Sequence, residues 1–149
     1  MIPTNSCVSS VKKCGSVLNE SEVPGLLDTD LMVEIQRSNP SALQWLNEYE
    51  GTLSLPSVVS FELLLGSRNR SEMERNERFI QTFDVDSFGD ADDMTTRLLI
   101  LKYRLSTGLG LPDFMIAAQA INRKAILYTF NLKHFGTISE LDARSPFNR

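Results

Sequence analysis

The chain has 149 residues, 42% of them apolar and 23% charged, enough for one ordinary globular core and too few for two comfortable domains. A net charge of −4 and a sequence pI of about 5.0 argue against a protein that coats nucleic acid through a bulk positive field. The longest apolar stretches, such as LLILKYRL, are broken by charge well before the roughly 18 residues of a membrane span, and no signal-peptide core follows Lys12 and Lys13, so a cytoplasmic protein away from membranes is expected.

Residues 1–24 are rich in Ser, Asn and Val, lack sustained periodicity, and hold both cysteines, Cys7 and Cys14. They are read as a flexible N-terminal extension, and without cysteines elsewhere no disulfide framework or Cys-based zinc site supports the fold. The domain is expected over 25–149. A short buried strand at 25–28 leads into a helix bearing Leu31, Met32 and Ile35 on one side, which stops near Asn39-Pro40. Pro40 starts a second helix, with Leu43, Leu46 and Tyr49 at spacings of three beside Trp45, ended by Gly51. Trp45 is expected to fill core or a protein interface.

The segment TLSL with Pro56 predicts a second strand, followed by a helix from Ser57 through Glu62 to Gly66. In SEMERNERFIQTF, Ser71 and Glu74 have capping-box spacing and predict an amphipathic helix. FDVDSF predicts a short strand, 91–106 a long helix, and 113–123 an Ala-rich helix opened by Asp113 after Pro112. AILYTF reads as a buried strand with Asn131 just beyond its end. Strands separated by helices imply a parallel sheet between helix layers, and in such folds ligands gather at the carboxyl ends of the strands.

Asp28, Glu62 and Asp113 each lie where an apolar element ends or a helix begins. Buried carboxylates need a partner, and several converging on one cleft read as a hard-cation site for Mg²⁺ or Mn²⁺. Each has a plainer reading. Asp28 and Asp113 could cap helices, and Glu62, though set among Phe61, Leu63, Leu64 and Leu65, could point outward from an amphipathic helix. Asp30 either supports the metal shell or caps the first helix, with the cap favoured. Thr129 is expected to be a strand residue whose hydroxyl could face the site. His134 is left out as a packed or surface residue. Arg68, Arg70, Arg75, Arg78, Arg97, Lys102, Arg104, Arg123, Lys124 and Lys133 could touch nucleic acid or form a solvated helix face.

The stretches LLDTD, SVVSFELLLG, DFMIAAQA and TFNLKHF, in that order over about residues 25 to 142, resemble the PIN-domain ribonucleases, particularly the VapC-type toxins of toxin-antitoxin pairs. The resemblance implies a three-layer α/β/α sandwich with a mainly parallel sheet. It also implies an endoribonuclease that hydrolyses phosphodiester bonds with metal-activated water. Asp28, Glu62 and Asp113 match the family's metal-binding acids and Asn131 the polar residue of its Thr-x-Asn segment. Asn131 is neutral, and His134 stands where an Asp is common. The implied partners are an RNA substrate, a small antitoxin that enters the acidic cleft, and a second copy of the chain in a homodimer. The apolar helix faces at 40–50 and 71–83 are the surfaces expected to make such protein contacts.

Two other classes compete. Asp28-Thr29-Asp30 after an apolar run also fits the nucleophile motif of haloacid-dehalogenase-like phosphatases, with GDADD at 89–93 as a distal acidic motif. That reading has no Lys between Asp30 and Gly89 and leaves Glu62 and Asp113 without a role. A catalytically silent PIN-like module that binds RNA or protein is the other alternative.

Overall fold

A computed structural model describes residues 22–149. The flexible extension expected over 1–24 therefore lies outside the described residues up to residue 21. By Pro24 the chain has joined the fold, since its carbonyl accepts the Ile126 N–H at 2.9 Å.

In chain order the elements are β1 (Gly25–Leu27), α1 (Thr29–Gln36), α2 (Pro40–Glu48), β2 (Leu53–Pro56), α3 (Ser57–Leu65) and α4 (Arg70–Ile80), then β3 (Val85–Asp86), α5 (Asp90–Tyr103), α6 (Leu111–Arg123), β4 (Ile126–Tyr128), α7 (Leu132–Phe135) and β5 (Asp142–Arg144). The strands form one parallel sheet in the order β3-β2-β1-β4-β5, flanked by helices. This is the expected α/β/α arrangement. Strand β1 is central: Leu26 pairs with Ser54 on one side and Leu127 on the other. Leu26, Leu27, Leu55 and Leu127 carry the sheet into the core, where Leu31, Met32, Val59, Phe114, Ala117 and Ala118 cover it.

Close approach decides one glycine. A Cβ on Gly25 would sit 2.7 Å from Leu53 Cδ2 and 2.8 Å from both Tyr128 Cε2 and the Tyr49 hydroxyl, so any larger residue where β1 begins would have to push these three side chains aside. Trp45 belongs to the same cluster, its ring centroid 5.3 Å from Tyr49 and 4.9 Å from Tyr128. It packs α2 against the sheet.

The structure corrects the sequence reading at several element boundaries. The α4 cap is Asn69, whose side chain accepts the Glu72 N–H at 2.9 Å, while Glu72 reaches back to the Arg68 N–H at 2.9 Å. The expected Ser71–Glu74 box is two residues too late, because Ser71 already lies inside the helix. Helix α6 begins at Leu111, with Pro112 in its first turn, where a missing N–H is tolerated. Short α7 and the edge strand β5 had no periodic signal and were not anticipated. On the two helices expected to offer contact faces, Ala42 of α2 and Phe79 and Ile80 of α4 are buried in the core.

Candidate active site

Strand order runs outward in both directions from β1, with β2 on one side and β4 on the other. The carboxyl ends of β1 and β4 flank the place where the connections diverge, which is where open α/β sheets form crevices. Asp28 stands there. It leaves β1 in extended conformation, φ −79° and ψ 161°, and caps α1. Only 7% of its surface is exposed. One carboxylate oxygen accepts the Thr29 N–H at 2.8 Å and the other accepts the Thr129 hydroxyl at 2.7 Å. Thr129, fully buried, follows the last residue of β4, and its oxygen also accepts the Asn131 N–H at 3.0 Å.

Asp30 extends this network across the strand ends, one carboxylate oxygen accepting the Phe130 N–H at 3.0 Å and lying 3.4 Å from the Thr129 hydroxyl. Its other oxygen is buried with no hydrogen-bond partner. The helix cap is therefore Asp28, and Asp30 ties α1 to the end of β4 instead of capping. From α3, Glu62 joins through a side-chain hydrogen bond in which the Thr29 hydroxyl donates to its carboxylate. Thr29 thus touches two acids, one with its N–H and one with its hydroxyl.

Asp113 and Asn131 stand differently. The Asp113 carboxylate accepts the Gly110 N–H at 2.9 Å, closing the first turn of its own helix. Asn131 sits at the N-cap of α7 without a side-chain cap hydrogen bond, its backbone held by Thr129. Among the described residues no three His, Cys, Asp or Glu side chains are grouped closely enough to hold a metal ion by themselves.

Electrostatics set Asp28 apart. Burial, then the neighbouring Asp30, push its carboxyl up to about 7, with Glu62 adding to the rise and the Thr129 and Thr29 hydrogen bonds opposing it. Burial also raises Asp30, against the Phe130 and Leu31 N–H groups and the charge of Arg149. The donors are all oxygen, Asp28 is destabilised as an anion, and a buried Asp30 oxygen lacks a donor. That set fits a small hard cation held by one or two carboxylates with water completing its shell.

The PIN domain model matches residues 25–140. The chain belongs to the PIN domain family. Similar sequences include Ribonuclease VapC1 of Rickettsia felis, 30% identical over 125 residues that span 78% of this chain and 92% of that protein. Ribonuclease VapC10 of Mycobacterium tuberculosis is 30% identical over 125 residues, 82% of this chain and 92% of its own. Among solved structures, DNA-bound VapBC from Salmonella typhimurium superposes with a TM-score of 0.73 at 24% identity, over 84% of this chain and 99% of that one. A toxin-antitoxin complex from Klebsiella pneumoniae gives 0.69 at 22%, over 84% and 99%. These superpositions speak to the fold.

In this PIN domain the phosphatase-like GDADD segment has a structural occupation. Asp92 accepts the Gly89 N–H at 2.8 Å and pairs with Asn122 and Arg123, far along the chain from Asp28. Arg123, a candidate for nucleic-acid contact, is engaged there and with Asp86 at 2.9 Å. An open groove of about 430 Å³ lined by Leu64, Arg70, Met73, Glu74, Glu77 and Arg78 lies on α3 and α4 and includes none of the acidic-site residues. Thr29 was the site residue that sequence reading missed. Its only signal was adjacency to Asp28, since nothing local reveals that its hydroxyl meets a glutamate 33 residues away.

Proposed function

We propose that this PIN domain is a Mg²⁺- or Mn²⁺-dependent endoribonuclease and the toxin of a toxin-antitoxin pair. The observation that carries the reading is Asp28, a buried acid raised to about 7 beside Asp30, held by hydroxyl and backbone donors in place of a basic side chain. Support for the substrate comes from relatives named Ribonuclease VapC, and for the antitoxin partner from neighbours solved as toxin-antitoxin complexes.

Asp28, Glu62 and Asp113 would hold the cation in this reading, directly or through water. When bound, the cation supplies Lewis acidity toward water and the phosphate oxygens. The chain's own residues orient and fix. Thr129 and the Thr29 N–H lock the Asp28 carboxylate, the Thr29 hydroxyl aims Glu62, and Asn131 offers a neutral carboxamide to water, substrate or a neighbouring acid. Asp113 would join them as a ligand in this reading, its carboxylate in the structure accepting the Gly110 N–H. The engagement of Asp113 with its own helix favours a second reading, a silent binding module, which the same experiment separates.

Purified protein is incubated with total cellular RNA and Mg²⁺ or Mn²⁺, with EDTA and Asp28→Asn as controls. Discrete fragments that vanish in both controls are expected. Intact RNA after incubation with folded, metal-supplied, antitoxin-free protein would sink the nuclease reading and leave the binding module.

A further inference from the structure

Beyond β5 the chain continues as SPFNR, with one large apolar side chain and one cation. It leaves the sheet level with the acidic site, where the Thr129 N–H donates to the Arg144 carbonyl at 3.0 Å. The Ser145 hydroxyl donates to the Phe147 carbonyl at 2.8 Å, a local bond that turns the segment. Phe147 packs edge-on against Phe130, ring centroids 5.0 Å apart. The Arg149 guanidinium lies over the same Phe130 ring, 4.2 Å from its centroid. Arg149 also pairs with Glu34 at 2.7 Å, and the second Glu34 oxygen accepts the Asn39 side-chain amide at 2.7 Å.

Glu34 stands four residues after Asp30 on α1, and residues four apart share a helix face. From that face Asp30 accepts the Phe130 N–H at 3.0 Å, and Glu34 holds the guanidinium that covers the Phe130 ring. Helix α1 thus grips Phe130 twice, at its backbone and at its ring. Phe130 lies between Thr129, whose hydroxyl Asp28 accepts, and Asn131. An ion pair whose arginine is 55% exposed contributes little by itself, but stacking on a ring adds direction as well as attraction. We propose that Arg149 is a positioning residue of the acidic site: by clamping Phe130 against α1 it fixes the Thr129–Asn131 stretch relative to Asp28 and Asp30. This role, which rests on the site holding a cation, falls to a residue that no motif of the sequence marked. Charge and position act in opposite directions here. A guanidinium near carboxylates repels a metal ion, so by charge alone its removal would tighten metal binding. Loss of position does the reverse, because groups that orient a metal's ligands commonly decide affinity by about tenfold or more.

Mn²⁺ titrated calorimetrically into the full chain reads this without RNA cleavage. Arg149→Gln should raise the Mn²⁺ dissociation constant by roughly threefold to tenfold, at a temperature where circular dichroism shows the native and variant proteins folded. Phe130→Leu, which alters no charge and keeps the N–H that Asp30 accepts, should weaken binding similarly. The double variant should lose little more than either alone, since both changes release one clamp. Equal or tighter binding by Arg149→Gln overturns the role and leaves the cation reading standing, as does full binding by Phe130→Leu. A lower melting midpoint with unchanged Mn²⁺ affinity assigns Arg149 to stability alone and equally overturns it. Native protein that takes up no Mn²⁺ overturns the cation reading, and this role with it.

Discussion

At the scale of single residues the chemistry concentrates on Asp28, and its titration has a definite sign. Its carboxyl lies at about 7 in the folded protein against an ordinary 3.8, so the folded state holds the proton after the unfolded chain has lost it. Stability of the metal-free protein therefore falls as pH rises from about 4 to about 7, by an amount on the order of a few kcal/mol, and levels off above. Asp30 is raised too and adds the same sign. Thermal melts in EDTA across that range should show the decline, and Asp28→Asn should make it shallower. At neutral pH, Mg²⁺ should raise the melting midpoint of the native protein and leave Asp28→Asn nearly unchanged. Thr129→Val, close in shape, removes the hydroxyl that Asp28 accepts at 2.7 Å. A destabilisation of about 1–3 kcal/mol is expected in denaturant titrations, with the pH dependence displaced upward because a contact that favoured the anion is gone.

At the scale of elements, caps account for most boundaries and can be tested separately from the core. Asn69→Ala should cost about 1 kcal/mol by removing the α4 cap, whereas Ser71→Ala, already inside the helix, should change the unfolding midpoint little. The reverse ranking would restore the capping box read from sequence. The long elements were legible because burial imprints a period. Leu31, Met32 and Ile35 mark the inward side of α1, and the alanines of α6 mark close packing. Strand β5 was illegible, since Asp-Ala-Arg is neither alternating nor apolar, and it pairs only with β4 at the sheet edge. Helix α7 is one turn long and carries no usable period.

At the scale of the whole molecule, Arg123 joins three elements. From the end of α6 it pairs with Asp92 near the start of α5 and with Asp86 of β3. Asp92 is 1% exposed, so Arg123→Ala leaves a buried charge with Asn122 and the Gly89 N–H alone and should cost about 2–4 kcal/mol. Combining it with Asp92→Asn should cost less than the two single changes added, a non-additivity that a double-mutant cycle measures directly. Sequence reading had counted Arg123 among candidates for nucleic acid. Charge type is visible in a sequence, but whether a guanidinium is free depends on what folds beside it.

The sequence by itself determined the alternation of strands and helices, and with it the parallel sheet, because burying apolar faces at periods of 2 and 3.6 leaves few other solutions. It also placed Asp28 at a strand end, since the apolar run stops there. Only the tertiary structure decided which groups meet that acid. Thr129 lies 101 residues away, and Glu62 reaches it through Thr29 across 33. It also decided that Asp30 braces the end of β4 while Asp113 closes its own helix. Such contacts depend on strand order and on the direction each side chain takes from its backbone, and neither is written in local periodicity.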